Sequence, residues 1–134
     1  MIRYAIQGDF EVLERHDHHI GEDELKRSID AQRVIVMAER GTLIGWLRFG
    51  LFWDEMPFLN MLYLLEGYRG KGYGTQLVRY WEGEMAERGH RRVLTSTLSN
   101  ERAQVFYRKN GYADCGALLL PGEPLEIILL KNLA

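Results

Sequence analysis

The spacing of apolar residues along this 134-residue chain predicts an α+β protein, a mixed and mostly antiparallel sheet of about seven strands flanked by about four helices. Three observations point there. Strand-like runs separated by turn residues fill the stretch from Arg33 to Leu65, the apolar period changes to that of a helix from Gly72, and strand and helix then alternate toward the C-terminus.

Met1 to Gln7 reads as a short strand, followed by two short helices, Asp9 to Leu13 and Asp23 to Gln32, the second with Leu25 and Ile29 on one face. Arg33 to Glu39 is strand-like. Arg40-Gly41 marks a hairpin into Leu43 to Phe52, and Trp53-Asp54-Glu55 turns the chain into Phe58 to Leu65. Leu77, Val78, Trp81 and Met85 then form a helical stripe that ends at Gly89. Arg92 to Thr97 returns to strand, and Asn100, a favoured N-cap, opens a helix that Gly111 closes. Strands Tyr112 to Leu119 and Leu125 to Leu130 complete the order β-α-α-β-β-β-α-β-α-β-β.

With 46% apolar residues and no repeat or linker, residues 1–134 read as a single domain able to bury about two-thirds of its unfolded surface. Cys115 is the only cysteine, which forbids an internal disulfide and favours a reducing cytoplasm; it reads as a small buried hydrophobe rather than a nucleophile. Seventeen Lys and Arg against nineteen Asp and Glu leave a net charge of −2, which speaks against a nucleic-acid partner. The most apolar stretch, Leu43 to Trp53, is interrupted by Arg48 and is about half the length of a bilayer span, so no membrane partner is expected.

The sharpest motif is Tyr68-Arg69-Gly70-Lys71-Gly72-Tyr73-Gly74-Thr75, set between an apolar strand and an amphipathic helix. Alternate glycines let the backbone approach a ligand, and the unpaired N–H groups of a first helical turn suit an anion such as phosphate. Arg69 and Lys71 add positive charge. The spacing fits neither the phosphate loop with its Lys-Ser/Thr ending nor the dinucleotide pattern. A second segment, Asn100 to Tyr112, carries Ala103, Phe106, Tyr107 and Gly111 at helical spacing, which taken alone describes an ordinary packed helix.

Together the two segments resemble the GNAT superfamily of N-acetyltransferases. Arg69, Gly72 and Gly74 meet its Arg/Gln-x-x-Gly-x-Gly/Ala signature, Met61-Leu62-Tyr63-Leu64 stands where the family commonly has Leu-Tyr-Val, and Asn100 to Gly111 follow Asn-x-x-Ala-x-x-Phe-Tyr-x-x-x-Gly. The resemblance implies a GNAT-type fold and acetyl-CoA as co-substrate. It implies that the strand Leu62, Tyr63 and Leu64 offers backbone groups to the pantetheine arm, that Arg69, Gly70, Lys71, Gly72, Tyr73, Gly74 and Thr75 wrap the pyrophosphate, that Asn100 touches the cofactor arm, and that Tyr107 protonates the leaving thiolate. An extended amide-bearing arm can pair with a strand edge as another strand would. Direct attack by an amine requires a proton for a thiolate whose conjugate acid has a pKa of about 8.5, which a phenol can supply.

One position departs from the family. Many members have a Glu on the strand before Leu-Tyr-Val, whereas this chain has Asn60, which takes no proton but can hold a water. Asp54, Glu55 and Glu66 are the nearby carboxylates, each with the ordinary reading of a solvated turn residue, and no general base is assigned. Arg15-His16-Asp17-His18-His19 reads as a polar interhelical loop rather than a metal site, and by family analogy these His and Glu22-Asp23-Glu24 border the acceptor. The cluster Arg88 to Arg92 complements a helix end. Trp46, Phe49, Phe52, Trp53 and Phe58 read as core, with strand edges available to an acceptor pocket or a homodimer surface. Two functions follow: acetyl transfer to a primary amine of a small molecule, protein or peptide, or a CoA-binding sensor with little turnover.

Overall fold

The computed structural model describes every residue, Met1–Ala134. Its elements are β1 (Ile2–Tyr4), a 3-10 turn (Gln7–Asp9), α1 (Phe10–His16), α2 (Glu22–Asp30), β2 (Val34–Glu39), β3 (Thr42–Phe52), β4 (Met56–Leu64), α3 (Tyr73–Glu87), β5 (Arg92–Leu98), α4 (Ala103–Lys109), β6 (Ala113–Leu118) and β7 (Glu126–Asn132). Seven strands form one sheet in the order β1-β2-β3-β4-β5-β7-β6. The ladders of β1 with β2, β2 with β3, β5 with β7 and β6 with β7 are antiparallel, and that of β4 with β5 is parallel, with Phe58 facing Leu94 and Leu59 facing Thr95. No helix is long and apolar enough to cross a membrane.

Local chemistry explains where elements stop. β1 ends at Tyr4 because Asp9 accepts from the Ile6 amide at 2.9 Å and from Arg3 at 2.8 Å, which curls the chain into the 3-10 turn. The Arg3 hydrogen bond holds the Asp9 carboxyl below the usual carboxylate range, against the opposing effect of burial. Arg40 and Gly41 both take positive φ, +53° and +79°, as a two-residue hairpin of type I′ requires. Trp53 and Asp54 take the same left-handed region, +55° and +61°, without a glycine, with the Glu55 amide closing the turn on the Phe52 carbonyl at 3.1 Å. Each non-glycine residue there costs about 1–2 kcal/mol.

The chain forms two compact units, residues 1–50 with 61–81, and residues 51–60 with 82–134. In the first, Leu13 of α1 and Leu25 and Ile29 of α2 pack with Val34, Val36 and Trp46 of β2 and β3. Phe49 lies on the opposite face of β3 and meets Trp81 of α3 at 5.8 Å between ring centres. Gly45 is a glycine of necessity: a Cβ there would lie 2.8 Å from the Tyr63 carbonyl and overlap the Leu64 side chain. In the second unit, β5 and β7 present Val93, Thr95, Ile127 and Leu129 as buried positions, and Tyr107 of α4 is buried as well.

Candidate functional site

The glycine segment occupies the link between β4 and α3. Gly70 and Gly72 take φ of +72° and +88°, conformations that L side chains rarely adopt, and a Cβ on either would meet nothing within 4 Å. Both glycines are therefore bare backbone facing open space. Gly72 accepts the first helical bond, from the Gln76 amide at 3.2 Å. The amides of Tyr73, Gly74 and Thr75 thus form the first turn of a 15-residue helix, where N–H groups have no partner four residues back. Lys71 is exposed beside them.

Arg69 folds back onto the strand. Its Nε donates to the Leu64 carbonyl at 2.9 Å, and its guanidinium sits 5.4 Å from the centre of the Tyr63 ring. The Leu64 carbonyl, expected among the groups offered to a ligand, therefore already has one donor and keeps one lone pair. Tyr63 in turn stacks on Trp46 at 4.8 Å, and His16 packs against both rings at 5.5 and 5.7 Å. Within this unit the structure gathers Leu62, Tyr63 and Leu64 with the residues from Arg69 to Thr75.

Tyr107 and Asn100 belong to the second unit. Tyr107 is 5% exposed, and its ring packs edge-on against Phe106 and Tyr112. Its hydroxyl hydrogen-bonds Thr95, and Thr95 Oγ1 donates to the Leu59 carbonyl at 3.1 Å. Burial pushes the phenol up to about 12, with the Thr95 hydrogen bond working against the rise. The neighbouring Tyr112 hydroxyl donates to Glu82 Oε2 at 2.7 Å, while Lys131 Nζ reaches Glu82 Oε1 at 2.9 Å. Burial, and then the Glu82 carboxylate, raises the Tyr112 phenol still further.

Four expectations need correction. Phe52 and Trp53, read as core, are 37% and 75% exposed, because they stand at the left-handed turn between β3 and β4. Asn100 does not open the last helix: α4 begins at Ala103 after Arg102, because Glu101 Oε1 captures the Leu98 amide at 2.8 Å and holds Ser99 and Asn100 in an exposed turn. Cys115 is exposed rather than buried, because β6 is an edge strand whose six residues are all exposed. Asp17 is no loop residue in solvent. It is 4% exposed and takes Arg48 Nε at 2.7 Å, whereas His18 and His19 are exposed.

Sequence reasoning passed over Thr95, Glu82 and the Asp17–Arg48 pair. Two carried a signal: Arg48 interrupts an apolar strand, and Glu82 stands four residues after Val78 on an apolar stripe, so each needed a buried partner. Thr95 in a β-branched strand carried none. Asn60, Asp54, Glu55 and Glu66 are all exposed.

The profile of the acetyltransferase (GNAT) family matches residues 3–112. No curated protein matches the chain in sequence. Solved structures resemble it over its full length: a GNAT-family acetyltransferase from Bacillus cereus at 23% identity and TM-score 0.80, covering 100% of this chain and 97% of that one. Ard1 from Thermoplasma volcanium is 16% identical with TM-score 0.85 over 100% and 97% of the two chains. The PaiA N-acetyltransferase from Thermoplasma acidophilum, solved with coenzyme A, is 18% identical with TM-score 0.81 over 98% of each.

Proposed function

The chain belongs to the acetyltransferase (GNAT) family, and on that premise we propose that residues 1–134 form a single domain moving acetyl from acetyl-CoA directly to a primary amine. The observation that carries this reading is the segment from Arg69 to Thr75, where two left-handed glycines open onto the first turn of a long helix. Backbone amides, the helix dipole and the Lys71 ammonium suit the pyrophosphate of CoA. Leu62 and Leu64 serve the pantetheine arm as a strand partner, with Arg69 holding the strand end and Tyr63 in place. Asn100, exposed in its turn, contacts the cofactor arm. The coenzyme A found with the Thermoplasma acidophilum structure supports the same cofactor here.

Tyr107 is the general acid. A phenol held near 12 keeps its proton at every working pH, so the group is always in its donating form. A thiolate emerging where water is excluded has its own pKa raised by desolvation, which narrows the gap to the phenol. Once Tyr107 gives up its proton, the rotatable Thr95 hydroxyl can turn from Leu59 to donate to the phenolate. Asn60 cannot take a proton, so the acceptor attacks as the neutral amine, and the proton its nitrogen sheds on becoming the amide passes to water or to the Tyr107 phenolate, which restores the acid. The exposed lone thiol of Cys115 fits a reducing cytoplasm.

No acyl group rests on the protein in this scheme. Partial desolvation of the sulfur, with Asp114 nearby, also pushes the Cys115 thiol up, away from the thiolate a nucleophile needs. Cys115→Ala should leave turnover within a few-fold of the parent, measured as CoA release.

A sensor reading has one observation in its favour: an amide stands at Asn60 where a base is common in the family. An assay of CoA release over a panel of small amines and peptide N-termini separates the two. Release matched by N-acetylated product supports the transferase. Saturable acetyl-CoA binding with no release from any amine supports the sensor.

A further inference from the structure

The second unit contains a cavity of about 280 Å³ on the face of β4, β5 and β7 that points away from Tyr107. Phe58, Leu94, Ile128 and Leu130 form its walls, and these residues alternate along their strands with Leu59, Thr95 and Leu129 on the Tyr107 side. The sheet itself therefore separates the cavity from the acid.

Two features of its mouth are unusual for an ordinary surface hollow. Trp53 stands at the rim, 75% exposed, in a left-handed turn that its bulk disfavours, with its ring held 4.7 Å from that of Phe52. Arg92 lines the same rim and is exposed. The ion pairs of this unit, Arg108 with Asp114 and Lys131 with Glu82, leave Arg92 out. An apolar chamber with a flat aromatic lip and one unpaired guanidinium has the complement of a small apolar body that ends in a carboxylate.

We propose that this cavity is a second binding site, distinct from the acetyl-transfer site, for a small apolar carboxylate whose ring or short chain lies under Trp53 and whose charge meets Arg92. The volume stands at the small end of ligand pockets, about 300–1,000 Å³, which limits the body to a single ring or a short alkyl chain.

The protein carries its own reporters. Trp46 and Trp81 are buried, so a neutral quencher such as acrylamide reads Trp53 alone, and the single cysteine Cys115 lines the cavity. Benzoate should shield Trp53 and slow alkylation of Cys115 with one saturation curve in the millimolar range, where acetate has no effect and benzyl alcohol binds at least about tenfold more weakly. Arg92→Gln should cost about tenfold in benzoate affinity. Gly116→Val should abolish binding, because a side chain at that unstrained position grows into open space on the cavity wall. Parent-like unfolding curves for both variants show that the fold is kept. Absence of saturable protection, equal protection by benzyl alcohol, or protection that survives both substitutions overturns the proposal. So does a Trp53 already shielded in ligand-free protein that sediments as a dimer, since a second copy would then fill the cavity.

Discussion

Tyr107→Phe should lower kcat by about 10²- to 10⁴-fold while the dissociation constant of acetyl-CoA stays nearly unchanged, because general acid catalysis is worth that factor and the substitution removes one oxygen. The loss falls on chemistry alone, since the ring keeps its packing against Phe106 and Tyr112. Loss of the buried hydroxyl also leaves Thr95 without one partner, which costs roughly 1 kcal/mol of stability. Steady-state kinetics, calorimetry and an unfolding curve on the same preparation separate these effects. Should stability fall while kcat holds, Tyr107 is a packing residue and another group protonates the thiolate. Because burial holds the phenol near 12, the alkaline limb of the parent's pH profile should show no loss from Tyr107 ionising below about pH 11.

Gly72→Asp should abolish acetyl-CoA binding. Its new side chain projects into the open space in front of the helix start and sets a carboxylate where the pyrophosphate is expected. The backbone at φ +88° makes Asp cost about 1–2 kcal/mol of stability, which leaves the fold standing. Gly72→Ala carries the same strain without the charge, so it should bind more weakly than the parent and far better than the Asp variant. Unchanged affinity in a folded Gly72→Asp protein would move the pyrophosphate off this segment.

The parts of the molecule legible in the sequence are those written in short-range pattern. Turn residues and period change placed seven strands and four helices within a few residues, and the glycines of the β4–α3 link announced both their left-handed backbone and the helix start behind them. What escaped depends on partners far apart in the chain. Asp17 meets Arg48 across 31 residues, and Glu82 meets Tyr112 across 30 and Lys131 across 49, so the charge of each residue is visible while its burial is not. Asn100 was misread because Glu101, the next residue, competes for the same stretch of backbone and wins the Leu98 amide. Cys115 reads as buried because direct transfer needs no cysteine nucleophile and a lone thiol is most often a small hydrophobe. Edge position, which no local pattern reports, left its strand in solvent. The left-handed Trp53-Asp54 turn was expected as a turn, yet its strain and the cavity it overhangs emerge only in three dimensions.

Direct transfer is tested most plainly by single-turnover quench with intact-protein mass spectrometry, using an amine that the panel identifies. N-acetylated amine should appear at the rate at which CoA is released, with the protein's mass constant throughout. A protein species heavier by one acetyl group, forming and decaying fast enough to carry the flux, would contradict direct transfer and put the acetyl group on a side chain.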